Sequence, residues 1–334
     1  MYSDLFKCTN GVKQGGVLSP TLFCVYIDEL LNRLANQKYG CYIGNCFVGA
    51  VCYADDLSLI APSRNALTQM IAICEKFASE YCVKFNCDKN AVIIYDSTPV
   101  KTDIKLDGKP VNIIDYGSHV GHYIGKNSDS HNISKGITDI ISHTNYVLAK
   151  FGFCSADVKA KLFDSYCTNY YGSPLWALNN TEVNKFYVAW RKCIRRVWDL
   201  PNRTHNQLVP HIHNVLSIEN QLLLRFVTFF YDVVHSSNSL VKLCGKLCIK
   251  SQSIVASNLR MVLHSVNNNQ SLFYGKSKQM VKVLVEKKLK QSHNSQSIGD
   301  GLLIIELCRV RNSVMSCPLT VDEVLSSIVY LCTA

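Results

Sequence analysis

A chain of 334 residues with 48% hydrophobic and 18% charged side chains has the composition of a folded protein, which excludes a disordered one. Its length suits two or three domains. The formal charge of +10 is unevenly spread: residues 1–150 carry 14 Lys/Arg and 14 Asp/Glu, and residues 151–334 carry 21 and 11. A neutral first half and a basic second half fit a catalytic platform followed by a module that grips a polyanion, or a protein that is basic without a partner.

No apolar run reaches the roughly 20 residues of a membrane span. The N-terminal MYSDLFKCTN lacks the basic-then-apolar order of a signal peptide. The expectation is an intracellular protein, cytoplasmic or nuclear, with no membrane partner. Sixteen cysteines raise the question of zinc, but no Cys-x2-Cys pair exists, and the nearest approach is Cys244-x3-Cys248. Cys24, Cys52, Cys74 and Cys193 lie among apolar residues, where a reduced thiol acts as a small hydrophobe.

Ser19-Pro20 reads as a helix start, with serine as N-cap and proline in the first turn. Leu22, Phe23, Tyr26, Ile27, Leu30, Leu31 and Leu34 then recur at helical spacing to about Gln37. Phe47–Tyr53 and Leu57–Ala61 flank Ala54-Asp55-Asp56 and predict a β-hairpin. Ser63 caps a second helix with Leu67, Met70, Ile71, Cys74, Phe77, Ala78 and Tyr81 on its apolar face. Ala91–Tyr95 is a strand, Asp107-Gly108 turns a second hairpin, and His119–Ile124 is a further short strand. From about residue 128 helical periodicity takes over, with helices predicted at 131–150, 156–171, 182–198, 216–236, 253–266, 277–290 and 320–332. The fold class expected is α+β: an antiparallel hairpin sheet with two helices over 1–127, a helical region over 128–236, and a C-terminal helical region of unknown role over 237–334.

Three segments carry chemistry together: Gly11-Val12-Lys13-Gln14-Gly15-Gly16-Val17-Leu18-Ser19-Pro20, Tyr53-Ala54-Asp55-Asp56, and Lys84-Phe85-Asn86 through Lys89. In order and spacing they resemble the palm motifs of reverse transcriptases of the non-LTR retrotransposon type. His119-Val120-Gly121 resembles the family's primer-grip segment. Tyr171-Gly172-Ser173-Pro174-Leu175-Trp176 and the run from Trp190 to His205 resemble its thumb and the region beyond, so the resemblance covers roughly 1–235. It implies a partial palm followed by a thumb, an RNA-directed DNA polymerase activity, and Mg²⁺ or Mn²⁺ held by Asp55 and Asp56. It also implies an RNA template with a DNA primer and a deoxynucleoside triphosphate as partners. Gln14, Gly15, Gly16 and Tyr53 would then bind substrate, and Lys89 would serve the leaving pyrophosphate.

The residues support the same chemistry by themselves, with alternatives beside it. Nucleotidyl transfer uses two divalent cations about 4 Å apart, and Mg²⁺ accepts few carboxylates plus phosphate oxygens. Adjacent carboxylates diverge on a strand but approach one site at a tight turn. Taken singly, Asp55-Asp56 is an ordinary polar turn, the glycine loop a flexible linker, and Lys89 a solvated lysine. On the predicted helix 182–198, Val183, Phe186, Tyr187, Trp190, Ile194 and Val197 form one face. Lys185, Arg191, Lys192, Arg195 and Arg196 form the other, suited to nucleic-acid phosphates or simply solvated.

The family's third carboxylate belongs upstream of the glycine loop, where this sequence offers only Asp4, and the fingers are not in evidence. The expectation is a truncated reverse transcriptase, inactive alone. Two other readings are a non-catalytic nucleic-acid-binding remnant and a helical protein-interaction module.

Overall fold

Helix α1, Ser19–Gln37, has Pro20 in its first turn, where the missing N–H costs nothing. Its N-cap is Leu18 rather than Ser19, because the chain is already helical at Leu18 (φ −86°, ψ −14°). The computed structural model describes residues 15–87, 89–95, 103–266, 270–273 and 275–296. The predicted helix at 320–332, Asp4, Gly11 and Gln14 lie outside the described residues. The chain divides into two compact units, residues 1–128 and 129–334.

In the first unit α1 is followed by β1 (Tyr42–Ile43) and β2 (Cys46–Phe47), then by β3 (Ala50–Tyr53) and β4 (Asp56–Leu59). The apolar run 47–53 is thus two strands, broken at Gly49. There the backbone passes so close to Gly40 that a Cβ on either glycine would stand 2.6–2.7 Å from the other's Cα. Helix α2 (Arg64–Glu80) starts as predicted, with Ser63 Oγ accepting from Ala66 N at 3.2 Å. Met70, Cys74 and Phe77 of α2 meet Ile27, Leu30 and Leu34 of α1, and Phe47, Ala50, Cys52, Leu57 and Leu59 pack against that core.

The rest of the unit is β5 (Ala91–Ile93), β6 (Lys105–Leu106), β7 (Lys109–Pro110), β8 (Asn112–Ile114), β9 (Tyr116–His119) and β10 (His122–Gly125). Asp107 (φ 50°) and Gly108 (φ 76°) make the predicted two-residue turn between β6 and β7. Glu75 Oε1 accepts from Asp107 N at 2.7 Å and ties that turn to α2. The strand expected at His119–Ile124 is instead a hairpin, because Val120 and Gly121 both take positive φ. The expected hairpin sheet is also different: the strands form separate two-stranded pairs, and β5 pairs with β8 in parallel.

The second unit is helical among the described residues: α3 (Ser128–Phe151), α4 (Ala156–Tyr166), α5 (Val183–Val197), α6 (Leu208–His213), α7 (Ile218–Val234), α8 (Ser239–Lys250), α9 (Ile254–Ser265) and α10 (Lys278–Gln296). Helix α4 ends at Tyr166, short of 171, and α6 and α8 are additions to the sequence reading. One core runs from Ile133 on α3 through Trp176, Phe186, Trp190, Phe226 and Phe230 to Leu289 on α10. No break in it falls at residue 236. Asn258 on α9, fully buried, accepts from Leu178 N (3.1 Å) and donates to Trp176 O (2.8 Å). Among the described residues no helix is long and apolar enough to cross a membrane. The architecture is α+β.

Candidate active site and basic surface

The Tyr53-Ala54-Asp55-Asp56 segment forms the tip of the β3–β4 hairpin. Tyr53 pairs with Asp56, so Ala54 and Asp55 are the two turn residues. Ala54 takes φ 52°, the left-handed value that two-residue hairpin turns require at their first position. Glycine adopts it freely, whereas alanine does so at a cost of about 1 kcal/mol. Asp55 and Asp56 are consecutive and both exposed, and Tyr53 is 64% exposed beside them. Behind the tip, Cys52 Sγ donates to Ala54 O at 3.1 Å. Burial pushes the Cys52 thiol up, and Cys24, Asp55 and Asp56 nearby push it the same way, so it stays protonated.

Gly15 and Gly16 precede α1, the helix that packs on this hairpin. Gly15 has φ 79°, and a Cβ there would meet nothing within 4 Å, so the backbone is open to a ligand. Lys89 stands exposed in the turn leading from α2 to β5, its N–H bonded to Asn86 O at 3.2 Å. The platform under the tip is locked by Arg33, which bonds Glu29 (2.9 Å) and Glu80 (2.6 Å). Its guanidinium lies over the rings of Phe77 and Tyr81. Among the described residues no group of three or more His, Cys, Asp and Glu is arranged to hold a metal ion. Two adjacent exposed carboxylates nevertheless fit an ion whose other ligands are waters and substrate phosphates, the set Mg²⁺ prefers.

The basic side chains of α5 divide sharply. Lys185 is paired with Glu182 (2.7 Å) and Arg191 with Glu219 (2.9 Å). Lys192 and Arg196 are exposed, and Arg196 donates to the neutral Asn145 Oδ1 at 2.7 Å. Arg195, expected to face outward, is 7% exposed and donates to Thr204 O (2.8 Å) and Asn206 Oδ1 (2.7 Å). Its outward placement assumed that helical angle alone decides. The chain beyond α5 folds back and covers that flank with acceptors. Arg203, which helical periodicity does not single out, is exposed on the same returning segment.

Residues 3–126 match the family model described as reverse transcriptase (RNA-dependent DNA polymerase). The chain is 39% identical over 87 residues to the Pol polyprotein of the type-2 retrotransposable element R2DM of Drosophila melanogaster, covering 26% of this chain and 8% of that protein. It is 44% identical over 52 residues to the Pol polyprotein of a type-1 R2 element of Popillia japonica, covering 15% and 9%. It is 26% identical over 213 residues to the RNA-directed DNA polymerase of the mobile element jockey of Drosophila funebris, covering 57% and 22%. The chain therefore spans less than a quarter of the length of these relatives.

Proposed function

We propose, from the premise that residues 3–126 are a reverse-transcriptase domain of the non-LTR retrotransposon type, that the first unit is palm and the second thumb-like, and that the β3–β4 tip is the metal-binding part of an RNA-directed DNA polymerase site. The observation that carries this reading is the pair of exposed carboxylates at one hairpin tip, Asp55 in the two-residue turn and Asp56 first in β4, backed by the α1–α2 core. A rigid platform matters because the ion, the primer hydroxyl and the triphosphate must meet within fractions of an ångström.

Asp55 and Asp56 hold Mg²⁺ or Mn²⁺, which when bound lowers the pKa of the primer 3′-hydroxyl and neutralises triphosphate charge. Gln14 and Gly16, with the open backbone at Gly15, position the incoming deoxynucleotide against the template base, and Tyr53 lies against the same substrate. Lys89 attracts the triphosphate and can protonate the leaving pyrophosphate. Lys192 and Arg196, aided at the margin by the ion-paired Lys185 and Arg191, hold phosphates of the template–primer duplex without reading its sequence.

Beside Asp55 and Asp56 no third carboxylate is arranged among the described residues, and removing one member of a unit of this kind costs orders of magnitude in rate. We propose that the 334-residue chain binds the ion with substrate but does not extend a primer by itself. Electron paramagnetic resonance of Mn²⁺ with primed RNA and a deoxynucleoside triphosphate tests the site. Asp55→Asn with Asp56→Asn removes the bound signal, and an undiminished signal refutes the metal assignment. Primer extension that disappears in Asp55→Asn would keep that assignment and overturn only the inactivity.

A further inference from the structure

Three basic side chains are buried among the described residues of the second unit; two of them, Lys159 and Arg195, are spent on the segment 199–207 after α5, and the third, His213, on Trp198 just before it and on Asp164. Lys159, on α4, reaches Asp199 Oδ2 at 2.5 Å. Arg195 reaches Thr204 O and Asn206 Oδ1. His213, on α6, accepts at Nδ1 from Trp198 Nε1 (2.9 Å) and meets Asp164 Oδ1 through Nε2 (2.8 Å). An indole N–H can only donate, so Nδ1 is the acceptor and the ring proton sits on Nε2, facing the carboxylate. The segment is also bent locally. Asp199 takes φ 52°, and Thr204 closes a turn on Pro201 O through both its N–H (3.0 Å) and its hydroxyl (2.8 Å).

A buried guanidinium whose acceptors are neutral is a costly way to pack a loop, and burial pushes Arg195 below its ordinary pKa. An apolar side chain would fill the space at less cost. What the polar contacts add is a fixed course for residues 199–207. That course leaves Asn202, Arg203 and His205 exposed, directly after the helix turn that carries Arg196. No carboxylate is ion-paired with Arg203 among the described residues, whereas Lys185 and Arg191 are both neutralised.

We infer that residues 199–207 form a preset phosphate-gripping loop for a nucleic-acid duplex, with Arg203 as its contacting cation beside Arg196 and Lys192. Arg195 and Lys159 are positioning residues that hold the loop in its binding shape before the duplex arrives, and His213 fixes Trp198 at its entrance. Presetting removes the ordering cost that a mobile loop would meet on binding. This inference rests on the nucleic-acid reading above and adds a site to it.

The test is fluorescence anisotropy of the full chain with a labelled RNA–DNA hybrid duplex at two salt concentrations. Arg203→Gln lowers affinity about fivefold at low salt and lowers the salt slope by roughly 0.9, the value for one phosphate contact on B-form DNA. Lys282→Gln, which removes the same charge from an exposed position on α10, changes neither. Arg195→Met produces the same loss as Arg203→Gln, and the double variant binds no more weakly than Arg203→Gln alone. That non-additivity separates positioning from general support. Should Arg195→Met fail to fold, Asn206→Ala removes one of the same two bonds from the exposed side. Equal losses in Arg203→Gln and Lys282→Gln, or additive losses in the double variant, overturn the inference. A chain that binds no duplex at all overturns both it and the nucleic-acid reading. Binding that is untouched by Arg203→Gln sinks only the loop.

Discussion

The two units use hydrophobic burial in opposite ways. In the first, six buried residues on two helices (Ile27, Leu30, Leu34, Met70, Cys74 and Phe77) pack against β2, β3 and β4, and the strands form separate two-stranded pairs. In the second, one core joins residues of α3, α4, α5, α7, α9 and α10 and includes both Trp176 and Trp190. The proposed metal site thus sits on the smaller core, displayed on a hairpin whose outer face is solvent. The basic surface sits on the larger one. Burial scales with the number of enclosed residues, so the second unit has reserve stability and the first has little. Active-site elements commonly come from the less stable part of a fold, and here that part is the unit as a whole.

The sharpest test of this contrast is Phe77→Ala. Phe77 is fully buried between α1 and α2 and stacks on Tyr81 with ring centres 4.3 Å apart. Its truncation should cost about 3–5 kcal/mol, enough to unfold the first unit while the second keeps its structure. Hydrogen exchange read by mass spectrometry should show α1, α2 and the β3–β4 hairpin losing protection and α5 and α7 retaining theirs. Loss of protection in all of them together would mean that the units fold as one.

Alkaline pH should separate the units in the reverse direction. Burial raises Cys167 to about 11 and also lifts Cys193, Tyr170 and Tyr187 in the second unit, against Cys74 (about 12) and Cys52 in the first. For each group the folded pKa lies above the unfolded one. Its contribution is therefore full below the unfolded value and is lost as pH rises through the folded one. Stability should fall from about pH 9 upward, beginning with the thiols, and more steeply in the second unit. Denaturant titrations at pH 8 and pH 10.5, followed by the same exchange readout, check this. A first unit more sensitive than the second would break the comparison.

The smallest effect expected is at the hairpin tip. Ala54→Gly relieves the left-handed strain and should stabilise the first unit by about 0.5–1 kcal/mol, less glycine's extra chain entropy. A raised denaturation midpoint with an unchanged slope supports it. A lowered midpoint means that Ala54 carries no strain.

How far the sequence could be read follows the range of the forces involved. α1, α2 with its Ser63 cap, the hairpin around Ala54-Asp55 and the Asp107-Gly108 turn are local in origin, and local pattern finds them. The parallel pairing of β5 with β8 is not local, and no spacing announces it. Val120 carries no turn signal of its own, so a hairpin read as one strand. Helix α6 is six residues with Pro210 inside, and α8 is centred on Gly245, which packs against Val233 where a larger side chain would collide. At the proposed site, type and order of residues single out Asp55 and Asp56 as candidates, but nothing in the helical pattern of α5 distinguishes Arg195 from Arg196. Only the returning chain, with Thr204 O and Asn206, turns one into a buried brace and leaves the other exposed, donating to Asn145.

Asn258 bears on how such a chain can recombine. Its carboxamide completes the backbone of Trp176 and Leu178, which lie some eighty positions earlier. The loop and its clasp must therefore be inherited together. A crossover between residues 178 and 258 that brings in a different residue at 258 leaves a buried N–H and a buried C=O unmatched, each costing about 1–3 kcal/mol. Exchange between related chains is then tolerated upstream of residue 176 or downstream of residue 258, and penalised between them.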